Sequence, residues 1–62
     1  MSLKIVYIVE LRKGWLSHRM LDSFDDIHEA DWFLKNWRRE NWEMLQANPD
    51  LSLELSVGKA AA

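Results

Sequence analysis

The residues with chemical potential are few and poorly placed for catalysis. Ser17 and His18 set a nucleophile beside a base, but neighbouring side chains of an extended segment point to opposite faces. His28 and Asp31 stand one helical turn apart and offer two metal ligands, where a site needs three or four. No glycine-rich phosphate loop, nucleophile elbow or paired-histidine helix motif occurs in the chain. The sequence therefore reads as that of a non-enzymatic protein, with no catalytic residue, no metal and no cofactor.

Binding chemistry is better represented. Trp32, Trp37 and Trp42 recur every five residues in a stretch that reads as one helix. At about 100° per residue, each indole is turned roughly 140° from the last. A helix packed on a sheet buries one face, so the three rings cannot all be inside. On a helical wheel, Trp32 and Trp42 lie with His28, Lys35 and Arg39 within about 80°, nearly opposite the core centre. Arg38 lies one turn before Trp42. Trp32, Lys35, Arg38, Arg39 and Trp42 are therefore the candidate partner-binding residues, since Trp and Arg are enriched at interface hot spots. The alternative is self-contained. The Lys and Arg stems cover the indoles or stack on them, and Trp42 folds against the chain near Pro49.

The acidic stretch from Asp22 to Asp31 holds five carboxylates and no Lys or Arg. Helix capping accounts for three of them, and the other reading is an acidic surface for a basic partner or for mimicry of nucleic acid. The net charge of −2 disfavours the basic footprint of a general nucleic-acid binder. A protein partner is expected. A nucleic-acid-binding module using Lys35, Arg38, Arg39 and stacked Trp is the alternative.

At 62 residues without Cys, the chain makes one domain with roughly 60% of its unfolded surface buried and no disulfide or thiolate site to reinforce it. Its longest apolar run is far below the ~20 residues of a membrane span. The opening Met1-Ser2-Leu3-Lys4 leads directly into a strand pattern with no basic segment or cleavage site. No membrane association is expected, and a cytoplasmic location is. The domain is taken as 1–59, because Ala60-Ala61-Ala62 resembles a cloning-derived tail.

Leu3, Ile5, Tyr7, Val9 and Leu11 alternate as a strand with one buried face, and Val6 and Ile8 make the middle of its other face apolar. That pattern suits a central strand. Lys13-Gly14 supplies the turn, and residues 15–24 return. A two-residue turn puts Leu11 opposite Leu16, Tyr7 opposite Met20 and Leu3 opposite Phe24 on the core side. It leaves His18 and Asp22 there as weak points that a bulge would move. On the other face Val6 then pairs with Leu21 and Arg12 with Trp15.

Asp26-Ile27-His28-Glu29 reads as a capping box. Ile27, Ala30, Phe33, Leu34, Trp37, Asn41, Met44 and Leu45 fall within about 120° as the core face. Asn48-Pro49-Asp50 ends the helix, since Pro disfavours helix at the residue before it. Leu51, Leu53, Leu55 and Val57 alternate with polar residues as the third strand.

The fold expected is a small α+β domain of order ββαβ. A right-handed crossover places strand three beside strand one, giving a three-stranded antiparallel sheet of order 2-1-3 with one helix on one face. The bare face then presents Val6, Ile8, Trp15 and Leu21, the candidate surface for a homodimer. Exchange of the third strand between two chains is the alternative.

The layout, a hairpin ending in Phe24-Asp25-Asp26-Ile27-His28-Glu29-Ala30 followed by helix and strand, resembles that of small phage-encoded inhibitors. These include some anti-CRISPR proteins and inhibitors of bacterial RNA polymerase. The opening is similar to antitoxins of the HicB type. The resemblance is architectural. It implies a regulator that docks on a larger complex, and it transfers no functional residue.

Overall fold

The computed structural model describes residues 2–15 and 17–61. Three strands, β1 (Leu3–Lys13), β2 (Ser17–Phe24) and β3 (Leu51–Ala61), enclose two helices in the chain, α1 (Ile27–Glu40) and α2 (Trp42–Ala47). The strands form one antiparallel sheet of order β2-β1-β3. This is the small α+β fold that the alternation and the crossover rule predict. β3 continues through Ala60 and Ala61, which pair with Lys4 and Leu3, so two of the three terminal alanines are strand residues.

The hairpin register differs from the expected one. Lys13 is still paired with Ser17, so the loop is longer than the two residues Lys13 and Gly14. Gly14 takes φ 56°, the left-handed conformation open to glycine without strain. Its N–H donates to the Asp50 carbonyl at 3.0 Å, tying the hairpin to the start of β3. Tyr7 faces Phe24, Leu11 faces Arg19, and Leu3 faces Ala61 rather than a β2 residue. The expected partner Leu16 lies outside the described residues. Between the Val9–Asp22 and Glu10–Met20 pairs the register shifts. The bulge turns Leu21 onto the helix side, where it packs against the core, and leaves Met20 exposed.

The core is small. Val9, Ala30 and Leu34 are buried, with Tyr7, Leu21, Phe24, Phe33 and Leu53 packed around them. Phe24 and Phe33 meet at 5.3 Å between ring centroids, tilted by 49°, within the favoured range for aromatic pairs. Trp37, expected inside, is only half-buried. Ile27 and Met44 of the expected core arc are exposed.

The helix starts on Asp26, whose Oδ1 accepts from the His28 N–H at 3.3 Å. The cap therefore runs to His28 rather than to Glu29 as a capping box would have it. The expected single helix breaks at Asn41. Both the backbone N–H and the side-chain Nδ2 of Asn41 donate to the Trp37 carbonyl, at 3.0 and 2.9 Å. A side chain that satisfies a terminal carbonyl competes with continuation of the helix. α2 then restarts at Trp42 and ends at Ala47, and the Leu51 N–H donates to the Asn48 carbonyl across Pro49 at 2.9 Å.

Length governs what the helix covers. Fourteen residues of α1 span about 21 Å, whereas eleven residues of β1 or β3 span about 36 Å. The uncovered end of the sheet leaves Leu3, Ile5 and Val57 exposed. β2 ends opposite Tyr7, so Leu3–Val6 pair with β3 alone.

Candidate partner-binding surface

Helix geometry and the break at Asn41 decide where the indoles go. Trp32 is 70% exposed and Trp42 53%, so both stand at the surface as their spacing requires. They do not share one surface. Lys35, Arg38, Arg39 and Trp42 line one open hollow of about 440 Å³. Trp32 lines another of about 390 Å³ with Phe24, His28, Glu29 and Phe33. Of the five residues predicted to bind together, the structure groups four and sets Trp32 apart. The wheel treats the helix as unbroken, and Trp42 belongs to the next helical segment.

Beside the Trp42 hollow the surface continues to β3. A second depression of about 290 Å³ shares Arg38 and Trp42 with that hollow and is lined by Leu45, Gln46, Pro49, Leu51 and Leu53. Trp42 thus lies toward Pro49 as the self-contained reading has it, while about half of the residue stays open. These neighbours were missed in the sequence because they come from the turn and from β3. The only available signal was the proximity of Pro49. The Trp32 hollow lies instead toward the β2 end of the sheet, through Phe24 and Phe33.

The charges on the two sides differ. Trp42 has three cations on one side and the carboxylates Glu40 and Glu43 on the other. The Lys35 ammonium pairs with Asp31 at 2.9 Å, one turn back, and the Arg39 guanidinium donates to Asn36 Oδ1. Arg38 makes no ion pair among the described residues. Around Trp32 and the adjoining strip of Phe33, Asn36 and Trp37, the charged residues are Glu29 and Glu40, with His28 beside them. The acidic stretch of the sequence is partly engaged, with Asp26 capping α1 and Asp25 meeting Lys4 at 3.0 Å.

The proposed dimer surface does not assemble. Leu21 is on the helix side, and Trp15, 89% exposed, sits in the hairpin loop rather than opposite Arg12, whose partner is His18. Val6 and Ile8 remain on the face away from the helix. There Ile8 lies across Gly58, its Cδ1 2.8 Å from where a Cβ would stand, with Val6 alongside. Met20, 59% exposed, lies opposite Glu10 on that face, beside polar contacts in which Ser56 Oγ donates to Glu10 Oε1 at 3.2 Å and Arg12 pairs with Glu54 at 3.5 Å.

The β2 register puts Ser17 opposite Lys13 and His18 opposite Arg12. Among the described residues no cluster of three or more His, Cys, Asp or Glu could hold a metal, and no helix is long and apolar enough to cross a membrane. No protein-family model, curated protein or solved structure matches the chain.

Proposed function

We propose that this chain is a small, non-enzymatic, cytoplasmic interaction protein that docks on a larger macromolecular complex and modulates it. The contact is made by Trp42 with Lys35, Arg38 and Arg39, and Trp32 offers a second anchor on the other side of α1. An inhibitor of phage type is the class that the architecture suggests. The observation that carries the reading is a half-open indole that lines one hollow with three cations. Folding does not require that combination, since a polar residue at Trp42 would expose less apolar surface. Trp and Arg together are the usual anchors of an interface.

The test begins with affinity capture from cells that carry the gene, followed by titration of the purified partner. Trp42→Ala is expected to weaken binding by about 2 kcal/mol, roughly thirtyfold, with the fold retained by circular dichroism. Partner binding unchanged by both Trp42→Ala and Arg38→Ala overturns the reading.

A second reading draws on the same hollow. Three cations beside one indole also suit a single-stranded nucleic acid, with a base stacked on Trp42 and phosphates on Lys35, Arg38 and Arg39. Binding that falls steeply with salt favours it, and failure to bind DNA or RNA at low salt removes it.

A further inference from the structure

We propose that the free edge of β3 and the Trp42 hollow together accept an extended, acidic segment of a partner protein, which adds to the sheet as a fourth strand. This rests on the reading of the Trp42 surface as a partner site, and supplies the mode of docking and the chemistry of the partner.

β3 is an edge strand, and its outer row of backbone groups faces no other strand of the sheet. The usual protections of an edge are a bulge, a proline or a row of charges. β2, the opposite edge, has a bulge at Leu21. β3 has none of these over Leu53–Val57. It pairs with β1 residue for residue across eleven positions without a shift and contains no Pro. Such an edge is the template used when a peptide is recognised by strand addition, with main-chain hydrogen bonds for affinity and side-chain pockets for choice.

The side chains beside this edge specify what is added. On the helix face of β3, Leu51 and Leu53 join Trp42, Leu45 and Pro49 in lining the depression. Leu55 and Val57 follow, 37% and 67% exposed. Apolar residues opposite Leu55 and Val57 would remove that surface from water. The charges that flank this apolar row are positive, with Arg38 over the Leu51–Leu53 end and Lys59, on the same face, at the other. The carboxylate on β3 itself, Glu54, lies on the opposite face against Arg12. Residues 53 and 59 are about 20 Å apart along an extended strand. The matching segment therefore has an acid, two apolar residues and an acid at alternate positions. A second copy of β3 does not fit, because its helix-facing row offers Lys59 and no acid.

The test uses the whole chain with a capped peptide, Thr-Asp-Thr-Val-Thr-Val-Thr-Glu-Thr, monitored by amide NMR and hydrogen exchange. The expected result is movement of the Leu53–Lys59 amides and the Trp42 indole, slowed exchange along the edge, and loss of affinity as salt rises. Arg38→Glu is expected to weaken binding roughly tenfold without moving the core resonances. The same peptide with Lys at both acidic positions is expected not to bind. An acidic peptide that leaves the β3 amides unmoved at millimolar concentration overturns the inference, as does equal binding of the Lys peptide. A single-stranded oligothymidine that shifts Trp42 but not β3 while the peptide does neither overturns it in favour of nucleic acid. If β3 stays unmoved while Trp42→Ala still abolishes binding to the captured partner, strand addition fails and the helix-surface reading stands.

Discussion

The bulge at Leu21 reverses the energetic roles of two neighbours. With a two-residue turn, Met20 would face Tyr7 in the core and Leu21 would point away from the helix. With the bulge, Leu21 packs against Val9, Ala30 and Leu34, and Met20 is 59% exposed. Full burial of a Leu side chain is worth about 1.5–3 kcal/mol. Leu21 is incompletely buried, and water can enter part of the space that truncation leaves, so Leu21→Ala is expected to cost about 1–2 kcal/mol. Met20→Ala removes surface that is mostly in water and is expected to stay within about 0.5 kcal/mol. In a domain of this size each kcal/mol moves the midpoint by about 4–8 °C. Thermal melting followed by circular dichroism is therefore expected to show a fall of about 5–15 °C for Leu21→Ala and a few degrees at most for Met20→Ala. The reverse order would place Met20 in the core and refute both the bulge and the pairing of Lys13 with Ser17. Cross-strand proton contacts give an independent check, since Tyr7 is expected to meet Phe24 rather than Met20.

Asn41→Ala removes the 2.9 Å bond to the Trp37 carbonyl and is expected to join α1 to α2, raising the helical signal in circular dichroism; a variant no more helical than the parent would show that Asn41 does not set the break. Asp26→Ala takes away the N-cap acceptor of α1 and is expected to lower stability by about 1 kcal/mol, read from the urea midpoint; an unchanged midpoint would show the cap to be idle. Trp32→Ala is expected to change stability by less than about 0.5 kcal/mol, and a larger loss would mean that Trp32 supports the fold. In variants retaining a single indole, iodide is expected to quench Trp15 most steeply, Trp42 less, and Trp37 least, following their exposure; equal quenching of Trp37 and Trp15 would show that Trp37 is not packed.

Period-2 alternation made the strands, their order and the central place of β1 legible, because it reports which positions alternate between core and solvent. It does not report register. The hairpin register depends on loop length and on the Leu21 bulge, and local pattern leaves both open, since a slip of one residue needs only one unpaired position. The wheel identified the exposed indoles but placed Trp32 and Trp42 together, because one side chain, Asn41, divides the helix between them. Asn is neutral in a helical pattern until it finds a carbonyl to satisfy, and the turn at Trp37 supplies one.

The least legible part was which apolar residues of a well-patterned strand stay wet. Leu55 and Val57 alternate as cleanly as Leu53, yet the helix that covers Leu53 is about 15 Å shorter than the strand by the rises per residue of the two elements. That mismatch follows from the residue counts alone, fourteen in the helix against eleven in the strand. The break at Asn41 acts at the opposite end of α1, where α2 turns Trp42 toward Leu51 and Leu53. One polar side chain thus ends α1 and lets α2 bring the indole beside Leu51 and Leu53. The open stretch of β3 has a separate cause, since Val57 lies across Tyr7 from Phe24, where β2 stops and the chain enters α1.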